Sequence, residues 1–406
     1  MMSDKAAQRL VSGRAWDDFC DSIKRAGHVV DRFKGLTELD HAEYYRFLTR
    51  YLRWGLSRFV EAAEPGRHRF VEMAWRQSIN FTSPLQDHFF ADVTDHAATY
   101  RITGNRGTCP YFIIAATTTK RPADIAERDW AGRGPDGLKE FDPALIGTVD
   151  ALMSEGVKFD KDGNFSITVS RDQPADGSDW LPLKPETNMI LVRTVFAERK
   201  GSTPATMFFE RVGGPPPTPI RAADISEALT MAAQNLTGWV DQVRDWWDNI
   251  INKAPNTVTF SGALYQTYGG ISDRHHGFGS WARDTDEALV IRFTPPQCEY
   301  WTFQFCNIWQ ENFDNVEDGQ GYLYKDGTKL ERDGSVLFVF ADRDPGLGIR
   351  WVDSYGHIHG GWSFRLIKSG PPPKLYVHRV KLDALKRDGL AALHPKDAIV
   401  SGHNPD

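Results

Sequence analysis

Of the twelve histidines in this 406-residue chain, five stand where their neighbours suggest chemistry, and an ordinary imidazole gains or loses a proton near neutral pH. His275 and His276 sit in a glycine-rich stretch, Tyr265-Gln-Thr-Tyr-Gly-Gly-Ile-Ser-Asp-Arg-His-His-Gly-Phe-Gly279, that reads as a loop leading into a strand. Loops held by a rigid scaffold carry sites more often than strands do, although a solvated histidine pair is the commoner arrangement. Asp87-His88 offers a carboxylate beside an imidazole. Adjacent residues on a strand point to opposite faces, so Asp87 is not placed to orient His88. Asp342-Arg343-Asp344-Pro345-Gly346 combines a guanidinium with two carboxylates ahead of a turn, with Asp353 and His357 close behind. Arg343 could anchor an anionic or hydroxylated ligand there, or tie the loop down.

His357-Ile-His359 would direct two imidazoles to one face of an extended segment, and it resembles half of a cupin metal motif. The glutamate of that motif is missing from Gly360-Gly-Trp-Ser-Phe-Arg365, and no third ligand suggests itself, so no metal is expected. No GxGxxG, GxxxxGK[ST], HExxH or GxSxG is present, which leaves dinucleotide, P-loop, zincin and hydrolase-elbow chemistry without their signatures. No organic cofactor is expected either. What remains is general acid/base work by His276, His357, His88, Asp353, Arg343 and Tyr265. Aromatic residues number 49 (13 Trp, 12 Tyr and 24 Phe). In Tyr300-Trp-Thr-Phe-Gln-Phe-Cys-Asn-Ile-Trp309 they alternate with polar side chains, placing Trp301, Phe303, Phe305 and Trp309 on one face and Tyr300 and Gln304 on the other. Tyr268, Tyr300, Trp301, Asn307 and Trp309 are the expected substrate contacts.

Composition narrows the classes. The net charge is −6, with no block of like charge, which argues against nucleic acid as a partner. The apolar run around Phe112–Ala116 is far short of the roughly 20 residues that span a bilayer, and the first residues lack the apolar core of a signal peptide. A cytoplasmic location is expected, with no membrane partner. Four scattered cysteines predict buried thiols rather than a disulfide scaffold.

Around these residues the chain reads as α+β, mainly β. A helical period runs from Gly13 to about Phe33, and a second from the caps Thr37 and Asp40 to Val60, where Pro65-Gly66 stops it. Short β-rich runs follow at 111–115, 165–169, 189–196 and 206–212, and Phe159-Asp-Lys-Asp-Gly-Asn-Phe165 reads as a hairpin connection rather than a calcium loop. The proline-rich stretch Gly213–Pro219 is the best boundary, and a long helix is expected from Ala222 to about Lys253. Further strands are expected at 288–293, 300–306, 336–340, 362–367 and 375–380, with a short helix at 382–393. No period of 20 to 50 residues repeats. The expected division is a helical region at 1–80, a first β lobe at 81–213, a linker and helix at 214–256, a second β lobe at 257–382 and a tail at 383–406. Each lobe should be a sandwich or jelly roll, with a helical pair ahead of the first and a long helix between them.

Several segments resemble the bacterial family known as domain of unknown function 1214: Asp286–Arg292, Tyr300–Gln304, Asn307–Trp309, Ala341–Gly346 and Trp351–His357, and upstream Tyr100–Gly107, Trp180–Leu183 and Phe209–Val212. The resemblance implies two consecutive β-sandwich units joined by helices, and brings no function with it. Where relatives show a Pro-Asn-x-Asp-Asn-like stretch, this chain has Pro84-Leu-Gln-Asp-His88-Phe-Phe90.

Two functions fit. The first is a small-molecule catabolic enzyme, a lyase or isomerase working without a cofactor, and concretely a lyase breaking a C–C or C–O bond in an aromatic, lignin-like alcohol with release of a one-carbon aldehyde. Its substrate would be the one partner, apart from a second copy of the chain in a homodimer. The second is a carbohydrate-binding or structural β-sandwich protein, in which exposed aromatic rings stack on sugars.

Overall fold

The computed structural model describes residues 2–73, 82–119, 146–247, 254–260, 270–271 and 274–402. Three helices open the chain, α1 (Met2–Val11), α2 (Arg14–Gly27) and α3 (Glu38–Gly55), where the sequence had suggested a pair. Thr37 and Asp40 close a capping box on α3: the Asp40 N–H donates to Thr37 Oγ1 (3.1 Å) and the Thr37 N–H to Asp40 Oδ2 (2.7 Å). The apolar stripe of α3, including Tyr44, Phe47, Leu48, Tyr51 and Trp54, is its buried face.

The first lobe pairs two sheets. The larger runs in the order β1 (Val71–Met73), β2 (Gln86–Asp92), β8 (Met189–Val195), β4 (Tyr111–Thr119), β5 (Ile146–Met153). The smaller runs β7 (Asp179–Pro182), β6 (Asn164–Ser170), β3 (Thr99–Asn105), β9 (Thr206–Val212). After α4 (Ala222–Trp246), the second lobe pairs β10 (Thr257–Phe260), β11 (Arg274–Ala282), β17 (His359–Ile367), β13 (Tyr300–Cys306), β14 (Tyr322–Tyr324) with β16 (Arg350–Asp353), β15 (Val336–Ala341), β12 (Glu287–Phe293), β18 (Leu375–Lys381), β19 (Ile399–Ser401). A short α5 (Leu382–Asp388) buries Leu382 and Leu385 on the outer face of the last sheet.

Adding nine to each strand number of the first lobe reproduces the strand order of the second in both sheets, with β19 as an addition at one edge. The likeness reaches single contacts. Each lobe has one parallel pair, β6 with β7 and β15 with β16. On the second strand of each, a tryptophan N–H donates to the carbonyl ten residues earlier: Trp180 to Ser170 (3.1 Å) and Trp351 to Ala341 (2.8 Å). Before β6 and β15 the chain turns through Gly163 (φ 84°) and Gly334 (φ 81°), a left-handed conformation that glycine adopts without strain. The molecule is thus a tandem of one sandwich topology, at a period far longer than the repeats sought in the sequence.

Each sandwich has its own core, built from Phe89, Ile102, Phe112 and Val192 in the first and Trp281, Phe303, Phe338 and Phe364 in the second. A further core joins the lobes: Met73, Phe90 and Leu191 of the first, Cys306 and Trp309 of the second, and side chains of α3 and α4. The sheets that contain β2 and β11 therefore bury both faces, one inside their own sandwich and one between the lobes.

Two local expectations are corrected. His275 and His276 lie on strand β11, not on a loop. The glycines that suggested a loop serve close packing: a Cβ on Gly277 would sit 2.7 Å from Val258 Cγ2, and one on Gly279 would collide with the Thr257 carbonyl. Trp309 lies beyond β13 and leaves the face shared by Trp301, Phe303 and Phe305. Asn307 Oδ1 accepts the N–H groups of Trp309 and Glu311 (both 3.0 Å), and the turn they form swings Trp309 into the inter-lobe core. The Asp160–Asn164 segment is a hairpin turn, with Asp160 Oδ1 accepting two backbone N–H groups of that turn.

Candidate functional site

Alternation along the strands decides which side chains reach the space between the lobes. On β2, Phe89 and Ala91 enter the first sandwich core, so His88 and Phe90 point the other way. His88 is directly opposite Arg193 of β8 in the antiparallel ladder. On β11, His276 is directly opposite Arg365 of β17 in the same manner. The two His–Arg pairs occupy equivalent positions in the two lobes. So do Tyr111 and Tyr300, each opposite the residue two beyond the arginine, and Phe90 and Phe278, each two beyond the histidine.

The pairs come together. Arg193 and Arg365, one from each lobe, both act electrostatically on His88 and on His276. Burial first, and the two guanidiniums second, hold both imidazoles well below their ordinary value, so both are neutral at physiological pH. His88 Nε2 is shielded from solvent and has no hydrogen-bond partner among the described residues. The Tyr300 hydroxyl and its neighbour Thr302 Oγ1 are likewise buried without a well-formed bond among the described residues. Burial pushes the Tyr300 phenol far up, so it keeps its proton. Its counterpart Tyr111 is engaged, accepting from Arg274 (2.6 Å) and donating to Met153 Sδ (3.0 Å).

Arg365 is oriented by Gln304 Oε1 and by Ser363 Oγ (2.8 Å), and Gln304 is held in turn by Asn312 Oδ1 (3.1 Å). Phe278 lies against His276 (ring centroids 3.9 Å apart), with Trp246 of α4 edge-on to it at 5.9 Å. His88, Arg193, Phe278, Tyr300 and Arg365 are only half-buried although they stand between two sheets. The arrangement supplies a neutral proton acceptor, a neutral proton donor, two fixed cations and an aromatic wall.

The structure thus brings His88, His276 and Tyr300 together and sets other expected residues apart. His357 docks α3: its Nε2 donates to Glu43 (2.9 Å to Oε2) and its Nδ1 to the Ser354 carbonyl (2.9 Å). Burial lowers the affinity of this imidazole for a proton, but hydrogen bonding and the charge of Glu43 more than offset that, and its pKa is raised. An imidazole that donates from both nitrogens has no lone pair left for a metal or a proton. His359 Nε2 meets Asp40 Oδ2 at 2.8 Å, so both histidines of the His-x-His segment are taken up by carboxylates of one helix. Asn307 donates to Glu43 (3.0 Å) and Trp309 to the Asp40 carbonyl (3.0 Å), both within this docking contact. Trp301 is buried in the second sandwich core. Asp353 ends β16 and accepts the Tyr355 N–H (2.8 Å), while Arg343 is exposed on the connection from β15 to β16. Tyr265 and Tyr268 lie outside the described residues.

Sequence reasoning missed Arg193 and Arg365. Their signal was the spacing His-x-Phe at 88–90 and again at 276–278, each later faced by an arginine on an apolar strand. Among the described residues, one group of carboxylates is close enough to hold a cation, Asp284, Asp286 and Glu287, and Arg379 and Lys381 already pair with it. Among those residues, no helix is long and apolar enough to cross a membrane.

A crystal structure of an uncharacterised protein from Burkholderia cenocepacia superposes with a TM-score of 0.81 at 28% identity, covering 93% of this chain and all of that one. A Vibrio parahaemolyticus protein aligns over 87% of this chain and 95% of its own at 10% identity, with a TM-score of 0.44. No protein of curated function matches. The family described as protein of unknown function (DUF1214) matches residues 143–199, a span that includes Arg193, which faces His88 in the ladder.

Proposed function

We propose that this protein is a cytoplasmic, cofactor-independent small-molecule enzyme whose reacting groups are His88 and Tyr300, with His276, Arg193 and Arg365 around them. The observation that carries the reading is the shielded Nε2 of a neutral His88, without a partner among the described residues, beside two guanidiniums. A neutral imidazole at physiological pH is a ready base, and fixed cations in a water-poor site stabilise an anion as it forms.

The reaction class these groups suit is lyase chemistry on an aromatic alcohol. In its concrete form, His88 takes the proton of a primary hydroxyl. The O–H electron pair becomes the C=O of formaldehyde, and the C–C bond pair passes to the adjacent carbon as an aryl-conjugated enolate. A guanidinium stabilises that charge, Tyr300 protonates the carbon, and the proton on His88 returns to Tyr300. The large exposed aromatic rings among the described residues, Trp16, Tyr45, Phe208, Tyr355 and Tyr376, sit on separate elements.

The test is a panel of aryl ketones and phenylpropanoids bearing a primary hydroxyl, with formaldehyde release as the readout. On any substrate found, H88Q should lose about 10²- to 10⁴-fold in kcat, the usual weight of one acid/base group, while its melting temperature holds. A folded H88Q with undiminished turnover overturns the assignment.

A further inference from the structure

We infer that the ligand of the inter-lobe site carries two anionic groups, one at each end of a small aromatic body, with one end held by Arg193 and the other by Arg365. This rests on the enzyme reading above and names the substrate class of the same site. The argument is geometric. Each arginine faces a histidine across its own sheet, at equivalent positions in two lobes of the same topology. Equivalent residues of the two lobes also meet one another: Tyr111 and Tyr300 belong to one cluster, and each guanidinium acts on the imidazoles of both lobes. Equivalent groups of the two lobes thus converge on one site, with Phe90 and Phe278 beside the histidines.

A guanidinium presents a planar fork of donors that matches a carboxylate. Two such forks, one per lobe, match a ligand with a carboxylate at each end better than one with a single charge. Joining both anions in one molecule makes the second contact intramolecular, so a dianion gains over a monoanion without any new type of contact. An aromatic body between them suits the rings that flank the imidazoles.

The experiment is calorimetric titration of the full-length protein with terephthalate, isophthalate, benzoate and sulfate at one ionic strength. One of the two phthalates should bind about tenfold or more tighter than benzoate. R193Q and R365Q should each bring that phthalate down to the benzoate level, by similar factors. Equal affinity for phthalates and benzoate, sulfate competing as well as either phthalate, a dependence on only one arginine, or no binding at all would each overturn the inference. The wild-type series decides the matter even if a variant fails to fold. Failure of this inference is separable from failure of the acid/base reading. If H88Q loses turnover while phthalates gain nothing over benzoate, the chemistry stands without the dianion. If phthalates bind through both arginines while H88Q turns over normally, the dianion stands without the chemistry.

Discussion

A histidine kept neutral by its surroundings is a base without waiting for a change of pH. Burial and two neighbouring guanidiniums push His88 and His276 in the same direction, well below the 6.5 of a free imidazole. A rate that depends on unprotonated His88 should therefore be flat through neutral pH and fall only in acid, below 6.5. The raised phenol of Tyr300 keeps the alkaline limb above the range of an ordinary tyrosine. The profile of kcat/KM from pH 5 to 10 checks this, and an acid limb at or above 6.5 would mean that the working base lies elsewhere. The imidazole half of this site could be read from the sequence, because histidine is rare and its chemistry is specific. The guanidinium half could not: Arg193 and Arg365 interrupt apolar strands, and only the ladder shows that each faces a histidine.

Among the elements, α3 shows how a helix can be predicted well and its purpose missed. Its stripe and its capping box were legible, since both are local. Asp40 reads only as a cap and Glu43 carries no signal of its own, because the imidazoles they meet are 319 and 314 residues away. Removing one partner of a buried charged pair strands the other, at a cost of about 3–5 kcal/mol. E43Q and H357Q should each show a loss of that order in urea unfolding at pH 6. The sign of the pH dependence follows from the raised folded-state pKa of His357: its contribution is full below the unfolded value near 6.5 and fades as pH rises through the folded value. The gap between wild type and H357Q should accordingly narrow toward pH 9, and a gap that widened would rule out the proton on His357 as its source.

For the whole molecule, the third core makes the lobes interdependent. Phe90, Leu191, Trp309, Phe47, Trp239 and Val240 come from both lobes and two helices, and all are buried in one cluster. Neither lobe can leave without exposing it, so thermal unfolding should be a single calorimetric transition with matching van't Hoff and calorimetric enthalpies. Two resolved transitions would show that the lobes unfold independently. Strands of five to nine residues with apolar alternation were legible one by one, which is why two sandwiches could be expected. The identity of their topologies was not legible, because sheet neighbours are set by pairing across long stretches of chain, and few side chains still match between the lobes.

Those few matches bear on ancestry. A single sandwich presenting one histidine, one arginine and one tyrosine from its larger sheet would form the same constellation by pairing with an identical copy. Every residue of such an ancestral dimer must serve both halves at once. Fusion into one chain lifts that requirement, and this chain shows the result: Arg274 stands where the first lobe has Gln86, and Thr302 where it has Ile113. One tyrosine of the pair is now tied down by that arginine, while the hydroxyl of the other has no well-formed hydrogen bond among the described residues. Two surfaces of one topology thus present different groups to the space they share.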